Sequence, residues 1–310
     1  MSALAVLLAL PCLLWTAGAG SAPSLKEAGI TQVCVPAAEA DSWRDTGITV
    51  TPVTEEALAD RQVLLVPGTV PRAGIASPTR APWINANGWR IRRNPQGRFR
   101  YELPAGKAAL AAAEASAYGG DAVLAIATED LPRLGNMLSF LKTVPPSDLP
   151  DVADFGVVDD GSPEMGEVMN LLSRRNLLFE RVKAPSSRYR LTVHFGPGGF
   201  DRAEAADPSA FALKLRRQLT DEERSLRIYG SEVVVGRLTA GGGRARLHLL
   251  NYGGRPILGL RVRIRGEYSG GEARVPGAAG TVALTDHVVA DGFTEFTLPE
   301  LVVYAVVDLR

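Results

Sequence analysis

The C-terminal third of the chain constrains the fold most, because residues 225–310 contain no apolar pattern of helical length. This segment carries short apolar runs separated by turn residues, among them SEVVVGRL, RARLHLLNY, GLRVRIRG and VVYAVVDL. Closely spaced short strands of this kind are typical of an antiparallel sandwich. We therefore predict an antiparallel β-sandwich over residues 225–310.

The alternation of apolar and polar residues within 244–265 predicts which side chains of this region face its core. The apolar residues of the pattern are Ala245, Leu247, Leu249, Leu260, Val262 and Ile264, and the polar residues between them are Arg244, Arg246, His248, Arg261, Arg263 and Arg265. We expect the apolar set to pack on a partner sheet and the polar set to meet water. The turn at residues 253–256 is expected to join the two strands directly.

The preceding residues alternate apolar strand-like runs with helical patterns, which indicates α/β structure. Residues 23–150 are predicted to form a small N-terminal α/β domain, with an alanine-rich helix at 106–120. Residues 151–224 are predicted to form a second α/β unit after a proline-rich linker at 144–154. An irregular stretch at 67–105 is expected to contain one hairpin that turns at residues 94–97. The predicted fold class is thus α/β followed by all-β.

The first 22 residues read as a secretory signal peptide. An apolar run from Ala3 to Trp15 is followed by small residues that fit a cleavage site, although no Lys or Arg precedes the run. The alternatives are a membrane anchor or a different start of the protein. A signal peptide predicts a secreted or periplasmic protein.

Cleavage would leave Cys34 as the only cysteine of the mature chain. A lone cysteine cannot form an internal disulfide. Because Cys34 lies in an apolar run, we expect a buried, inert thiol.

The composition excludes several classes of partner. The chain is 46% hydrophobic, and its 34 Lys and Arg residues balance its 34 Asp and Glu residues. This balance gives no reason to expect nucleic acid or, after signal cleavage, an anionic membrane as a partner.

Two segments resemble parts of secreted glycoside hydrolases. Residues 246–309, through RLHLLNYGGRPILGLRVRIRG and the closing FTLPELVVYAVVDL, are similar to their C-terminal β-sandwich. Residues 153–224 resemble the glutamine-amidotransferase-like domain that precedes the sandwich in beta-galactosidases of the trimerising type. The resemblance implies a non-catalytic role for that domain in assembly, and hence a possible homo-oligomer.

The N-terminal domain is similar to fragments of a TIM barrel, through AGITQVCVP and YGGDAVLAI. Its length is well below the roughly 250 residues of a full barrel. The catalytic barrel of such enzymes is therefore expected to be absent or reduced.

Asp159, Asp160 and Glu164 are the candidate catalytic residues. They follow a predicted strand, and the ends of parallel strands are where α/β sheets bind ligands. Glycoside hydrolysis requires two carboxylates in complementary roles. The alternative is structural, with the aspartates forming a turn and Glu164 stabilising the start of a helix. No cysteine lies at a strand-to-helix turn of this unit, which argues against amidotransferase chemistry.

The candidate binding residues lie in the irregular stretch and are Trp83, Asn85, Asn87, Trp89 and Arg90. Tryptophan rings can stack on sugars, and amide and guanidinium groups can bind hydroxyls. The alternative is that both tryptophans belong to a small core.

No metal or cofactor is expected, since the three histidines lie far apart without neighbouring ligands and no phosphate-binding loop occurs. We interpret the chain as a carbohydrate-associated, non-catalytic or degenerate relative of glycoside hydrolases, in glycan binding or assembly. An active glycoside hydrolase with a carboxylate pair and a structural protein-interaction module are the alternatives.

Overall fold

A computed structural model describes residues 10–70 and 83–310. The elements up to residue 148 are β1 Cys12–Leu14, α1 Ala22–Glu27, β2 Gln32–Pro36, β3 Thr49–Val53, α2 Glu55–Ala59, β4 Gln62–Leu64, β5 Gly68–Val70, β6 Trp83–Asn85, α3 Gly88–Arg93, β7 Arg98–Glu102, α4 Ala108–Ala117, β8 Asp121–Ala125 and α5 Leu131–Thr143. The later elements are β9 Phe155–Val158, α6 Pro163–Arg174, β10 Phe179–Val182, β11 Leu191–Val193, α7 Pro208–Gln218, β12 Leu226–Ile228, β13 Val234–Gly241, β14 Arg244–Asn251, β15 Ile257–Arg265, β16 Gly271–Arg274, β17 Val282–Ala283, β18 Thr285–Ala290, β19 Phe293–Leu301 and β20 Tyr304–Leu309.

The chain divides into two compact units. Of the described residues, the first contains 10–68 and 94–148, and the second contains 69–70, 83–93 and 149–310. The break near residue 148 lies within the proline-rich segment. Residues 83–93, which the sequence groups with the N-terminal domain, belong to the second unit.

The first unit is built on a parallel sheet in the order β3-β2-β1-β8-β7-β4. Strand β1 lies inside this sheet, since it pairs with β2 on one side and β8 on the other. Leu13 and Trp15 are buried in the core. Cleavage after residue 22 would therefore remove an interior strand. The residues assigned to the signal peptide include 1–9, which lie outside the described residues.

A disulfide between Cys12 and Cys34 joins β1 to β2. In the full chain Cys34 is therefore not the lone, inert thiol that was expected after cleavage. The apolar run around Cys12 fits both a cleavable leader and a buried parallel strand, because the two have the same apolar composition.

Helix α4 confirms the alanine-rich helix, and nearly all of its side chains are buried. Asp130, which precedes α5, accepts hydrogen bonds from the backbone N–H groups of Gly106, Lys107 and Ala108 at 2.8–3.1 Å. A neighbouring segment thus supplies the acceptor for the free amides at the start of α4.

The hairpin expected around residues 94–97 does not form. Residues 88–93 are helical instead, and β7 pairs in parallel with both β4 and β8. The alternation in WRIRR and RFRYE matched strand periodicity, but the tertiary pairing places only the second run in a sheet.

The second unit contains a parallel sheet in the order β10-β9-β11, which shares a core with α6 and α7. Phe155, Met165, Phe179 and Phe211 belong to its core. Ser162 accepts a hydrogen bond from the Met165 amide, so it caps α6 as the sequence predicts.

The β-rich part of this unit consists of two antiparallel sheets. Their strand orders are β12-β15-β19-β18 and β13-β14-β20-β16-β17. Leu247 from one sheet and Val262 from the other belong to a single buried cluster. The chain is thus α/β followed by a β-rich region, as the sequence predicts.

Strands β14 and β15 do not form the expected hairpin, because they lie in different sheets. The turn between them carries the chain from one sheet to the other. Asn251 fixes this crossing, since its side-chain amide donates to the carbonyls of Arg255, Leu301 and Val302.

The inward residues of β14 are confirmed, but its polar residues are not all solvated. Arg246 and His248 are 6% and 3% exposed. Arg246 donates to both carboxylate oxygens of Asp308, at 2.6 and 3.1 Å, and His248 Nδ1 lies 2.7 Å from the Tyr304 hydroxyl. These cross-strand partners explain how a polar row can be buried.

Candidate functional site

The candidate carboxylates lie at the carboxyl end of the three-stranded parallel sheet. Strand β9 ends at Val158, and Asp159 and Asp160 form the turn that leads into α6. Gly161 adopts a φ of +80°, which a residue with a side chain rarely adopts. The sequence therefore placed these acids correctly at a strand end, where α/β sheets commonly bind ligands.

Asp159 is held by two arginines and a backbone amide. Arg93 Nε and Nη2 donate to its two carboxylate oxygens at 2.9 and 2.8 Å, and Arg181 lies 3.8 Å away. The Gly161 N–H donates to it at 3.0 Å. Burial acts to raise the pKa of Asp159, but Arg93, the Gly161 amide and the charge of Arg181 together outweigh burial and lower it.

Asp160 and Glu164 share a single guanidinium. Arg202 donates to Asp160 and lies 3.5 Å from Glu164. Asp160 also accepts from the Ser162 N–H and hydroxyl, at 2.9 and 2.6 Å. Burial acts to raise the pKa of Asp160, but Ser162 and Arg202 outweigh it, so the pKa lies below its ordinary value.

This arrangement does not suit acid catalysis by the two aspartates. A glycosidase needs a carboxylic acid that keeps its proton near neutral pH, which requires a raised pKa. Asp159 and Asp160 are instead stabilised as carboxylates by cations and N–H donors. Their chemistry here is that of ion-pair partners and hydrogen-bond acceptors.

A depression of about 520 Å³ opens beside Arg202. It is lined by Phe195, Gly196, Gly199, Phe200, Asp201 and Arg202. The Arg202 guanidinium lies over the Phe195 ring, 4.9 Å from its centroid. Ion pairing therefore holds a cation at the wall of an open, partly aromatic cavity.

The predicted binding residues divide between the core and the surface of the second unit. Trp89 is 5% exposed and packs in the core around Phe155, while Asn87 is fully buried. Neither offers a face to a ligand, which agrees with the core alternative for Trp89. Trp83 and Asn85 are half-buried, and the Arg174 guanidinium covers the Trp83 ring at 3.7 Å.

Arg90 packs its guanidinium 4.4 Å from the centre of the Trp89 ring. Arg93, three residues later in helix α3, makes the contact with Asp159. Roles in ligand binding for Trp83, Asn85 and Arg90 remain predictions.

Sequence reasoning missed Arg93, Arg202 and the two phenylalanines of the depression. Arg93 lies 66 residues from Asp159 in sequence, and Arg202 lies 42 residues from Asp160. The only available signal was the turn-rich HFGPGGFDR segment, which places aromatic and charged residues around glycines.

Across residues 10–70 and 83–310, no group of three or more His, Cys, Asp or Glu side chains is arranged to hold a metal ion. A search of the same part of the chain found no helix with the length and hydrophobicity of a membrane span.

No protein-family model and no curated protein matches the sequence. Among solved structures, the fold is similar to alpha-L-fucosidase isoenzyme 2 from Paenibacillus thiaminolyticus, with a TM-score of 0.56 and 10% identity over 88% of this chain and 71% of that chain.

Beta-galactosidases give weaker structural matches. The enzyme from Bacillus circulans sp. alkalophilus has a TM-score of 0.39 and 10% identity over 90% of this chain and 63% of that chain. A GH42 enzyme from G. stearothermophilus has a TM-score of 0.36 and 8% identity over 81% of this chain and 54% of that chain. The resemblance to glycoside hydrolases that the sequence suggested is confirmed at the level of fold by the fucosidase match, at low sequence identity.

Proposed function

We propose that this protein is a carbohydrate-associated, non-catalytic or degenerate relative of glycoside hydrolases that binds glycan. The carbohydrate part of the proposal is supported by the shared fold with an alpha-L-fucosidase. Fold alone does not determine activity, so the non-catalytic part has to be argued from the site.

The observation that carries the non-catalytic part is the state of the candidate carboxylates. Arg93 binds Asp159 through two hydrogen bonds, and Arg202 binds Asp160. A catalytic pair needs one acid that is protonated and one carboxylate that is free to attack or to activate water. Asp159 and Asp160 do not suit the role of the protonated acid, because their lowered pKa values keep both ionised, and their arginine partners already engage the carboxylate oxygens.

Finer features of the fold also support a glycoside hydrolase relative. A three-stranded parallel sheet with two helices precedes the β-rich region, in the order expected for an amidotransferase-like unit and a β-sandwich. The two antiparallel sheets share one apolar core, as the sheets of a sandwich do. We assign residues 151–224 and 225–310 to these two types. A secreted or periplasmic location is supported by the Cys12–Cys34 disulfide, because disulfides persist in oxidising compartments.

The test combines a glycan-array screen with an assay for reducing-sugar release on every glycan that binds. We expect binding without release. Trp83→Ala is expected to weaken binding and Trp83→Phe to retain most of it, because phenylalanine keeps an aromatic ring at this half-buried position. Release that is abolished by Asp160→Asn would contradict the proposal and establish a glycosidase.

A further inference from the structure

The depression beside Arg202 is open to solvent, and its volume of about 520 Å³ is large enough to take one sugar ring. Aromatic surface from Phe195 and Phe200 is combined with two charged side chains, Asp201 and Arg202. We propose that this depression binds one neutral sugar residue of a glycan, an inference that rests on the proposed function and gives it a place and a substrate class.

The aromatic wall is fixed by the core of the second unit. Phe211 is buried, and its ring contacts Phe200 edge to face at a centroid distance of 5.0 Å and Phe195 at 6.2 Å. Both partner rings remain partly exposed at the depression. The Arg202 guanidinium lies over the Phe195 ring, and the Lys214 ammonium lies 5.4 Å from the centre of the Phe200 ring. The part of each ring that these cations leave exposed can pack against C–H groups of a sugar with little loss of side-chain entropy.

The polar wall is also fixed before any ligand arrives. Arg202 is held by Asp160 and Glu164, yet a guanidinium has five N–H donors and keeps some for a ligand. One Asp201 oxygen accepts from the Ala203 amide at 2.9 Å, and a carboxylate retains further acceptor positions. A donor and an acceptor that stand side by side match the adjacent hydroxyls of a sugar.

The local charge selects a neutral sugar over an acidic one. The carboxylates of Asp160 and Glu164 pair with the guanidinium of Arg202, and the carboxylate of Asp201 lines the same depression. The nearby Lys214 is paired with Glu204 and leaves no surplus positive charge. A uronic acid would therefore bring its carboxylate into a region that is already negative, which is unfavourable.

Glycines keep the depression open. Gly196 has a φ of +105°, and a Cβ there would meet no atom within 4 Å, so a side chain would extend into free space. A Cβ at Gly199 would lie 2.2 Å from His194 Nδ1. Only glycine gives this loop both its backbone conformation and its close approach to the histidine ring.

The experiment measures binding of free methyl galactoside and methyl galacturonide to the full chain by calorimetry and by saturation-transfer NMR. These two ligands differ mainly in charge, so they test the electrostatic argument directly. The variants are Phe200→Leu, which keeps apolar packing against Phe211, and Arg202→Gln, which removes the guanidinium. Arg216→Gln is the matched control, because it removes an exposed arginine of the same unit outside the depression.

We expect methyl galactoside to bind in the millimolar range, and each depression variant to bind at least tenfold more weakly while the control binds as wild type does. Methyl galacturonide should bind at least tenfold more weakly than methyl galactoside. Unchanged binding in Phe200→Leu and Arg202→Gln, or preference for the acidic sugar, would overturn this inference while leaving the proposed function intact. If wild type binds no sugar here and no glycan on the array, the proposed function itself fails.

Discussion

Arg93 and Asp159 form a two-point ion pair that joins helix α3 to the turn after strand β9 within the second unit. Both hydrogen bonds are shorter than 3.0 Å, and the side chains are 23% and 10% exposed. Arg93 also donates to the Ser162 carbonyl at 3.0 Å. One guanidinium therefore fixes both the candidate carboxylate and the start of α6.

Removal of this pair should destabilise the second unit. Arg93→Ala leaves a largely buried carboxylate without its main partner, so we expect it to lower the free energy of unfolding by about 2 kcal/mol. Urea unfolding followed by circular dichroism measures this loss. Arg44→Ala is the control, because Arg44 forms an exposed pair with Asp41 and should lower it by less than about 1 kcal/mol. Equal effects of the two variants would show that the Arg93 pair has no special structural role.

The contributions of Asp159 and Asp154 to stability should depend on pH in opposite ways. The folded-state pKa of Asp159 is lowered, so its contribution to stability is present above its unfolded value of 3.8 and is lost as the pH falls through the folded value. Burial raises the pKa of Asp154, against the hydrogen bonds from Ser225 and the charges of Arg224 and Arg265. Wild type therefore gains stability from Asp154 as the pH falls towards 3.8.

Asp159→Asn and Asp154→Asn should consequently show opposite trends. As the pH falls from 7 to 3, the stability of Asp159→Asn relative to wild type should improve, and this improvement should occur below pH 3.8. The stability of Asp154→Asn relative to wild type should worsen, and this loss should occur above pH 3.8. Urea titrations at several pH values measure both differences. Parallel trends would contradict the electrostatic assignment of one of the two residues.

The N-terminal residues should be required for the first unit to fold. A chain that starts at Pro23 lacks β1, which pairs with both β2 and β8, and we expect it to lose cooperative unfolding. Cys12→Ser keeps the strand but removes the disulfide, which should cost about 3 kcal/mol for a loop of this length. Thiol titration of the unfolded, non-reduced wild-type chain should find no free thiol. A truncated chain as stable as wild type would show that β1 is dispensable.

Asp130 should be a strong determinant of the stability of α4. Asp130→Ala leaves three backbone amides without their acceptor, so we expect a loss of about 2 kcal/mol. Asp130→Asn keeps one carbonyl acceptor and should lose less. Hydrogen exchange at residues 106–108 measures the effect locally. Full protection of these amides in Asp130→Ala would contradict the capping role.

Local patterns predicted the elements whose side chains make local contacts. The alternation of β14 and β15 identified both strands, and Ser162 followed by Pro163 identified the start of α6. These features were accessible because strand periodicity and helix capping depend on residues close in sequence.

Features that depend on pairing between residues far apart in the chain could not be predicted from the sequence. Nothing in the local sequence indicates that Cys12 meets Cys34 in adjacent parallel strands, or that β14 and β15 lie in different sheets. The candidate site shows the same division. The aspartates were visible as a strand-end pair, but their ionised, paired state depends on Arg93 and Arg202, which only the folded chain brings to them.

The central claim is that the chain binds glycan without cleaving it. The most direct measurement is the glycan-array screen of the full chain, with reducing-sugar release assayed on every glycan that binds. We predict that wild type binds glycan and releases no reducing sugar. Asp160→Asn should release none either. Release by wild type that Asp160→Asn abolishes would contradict the claim, because Asp160 would then act in catalysis rather than as a partner of Arg202.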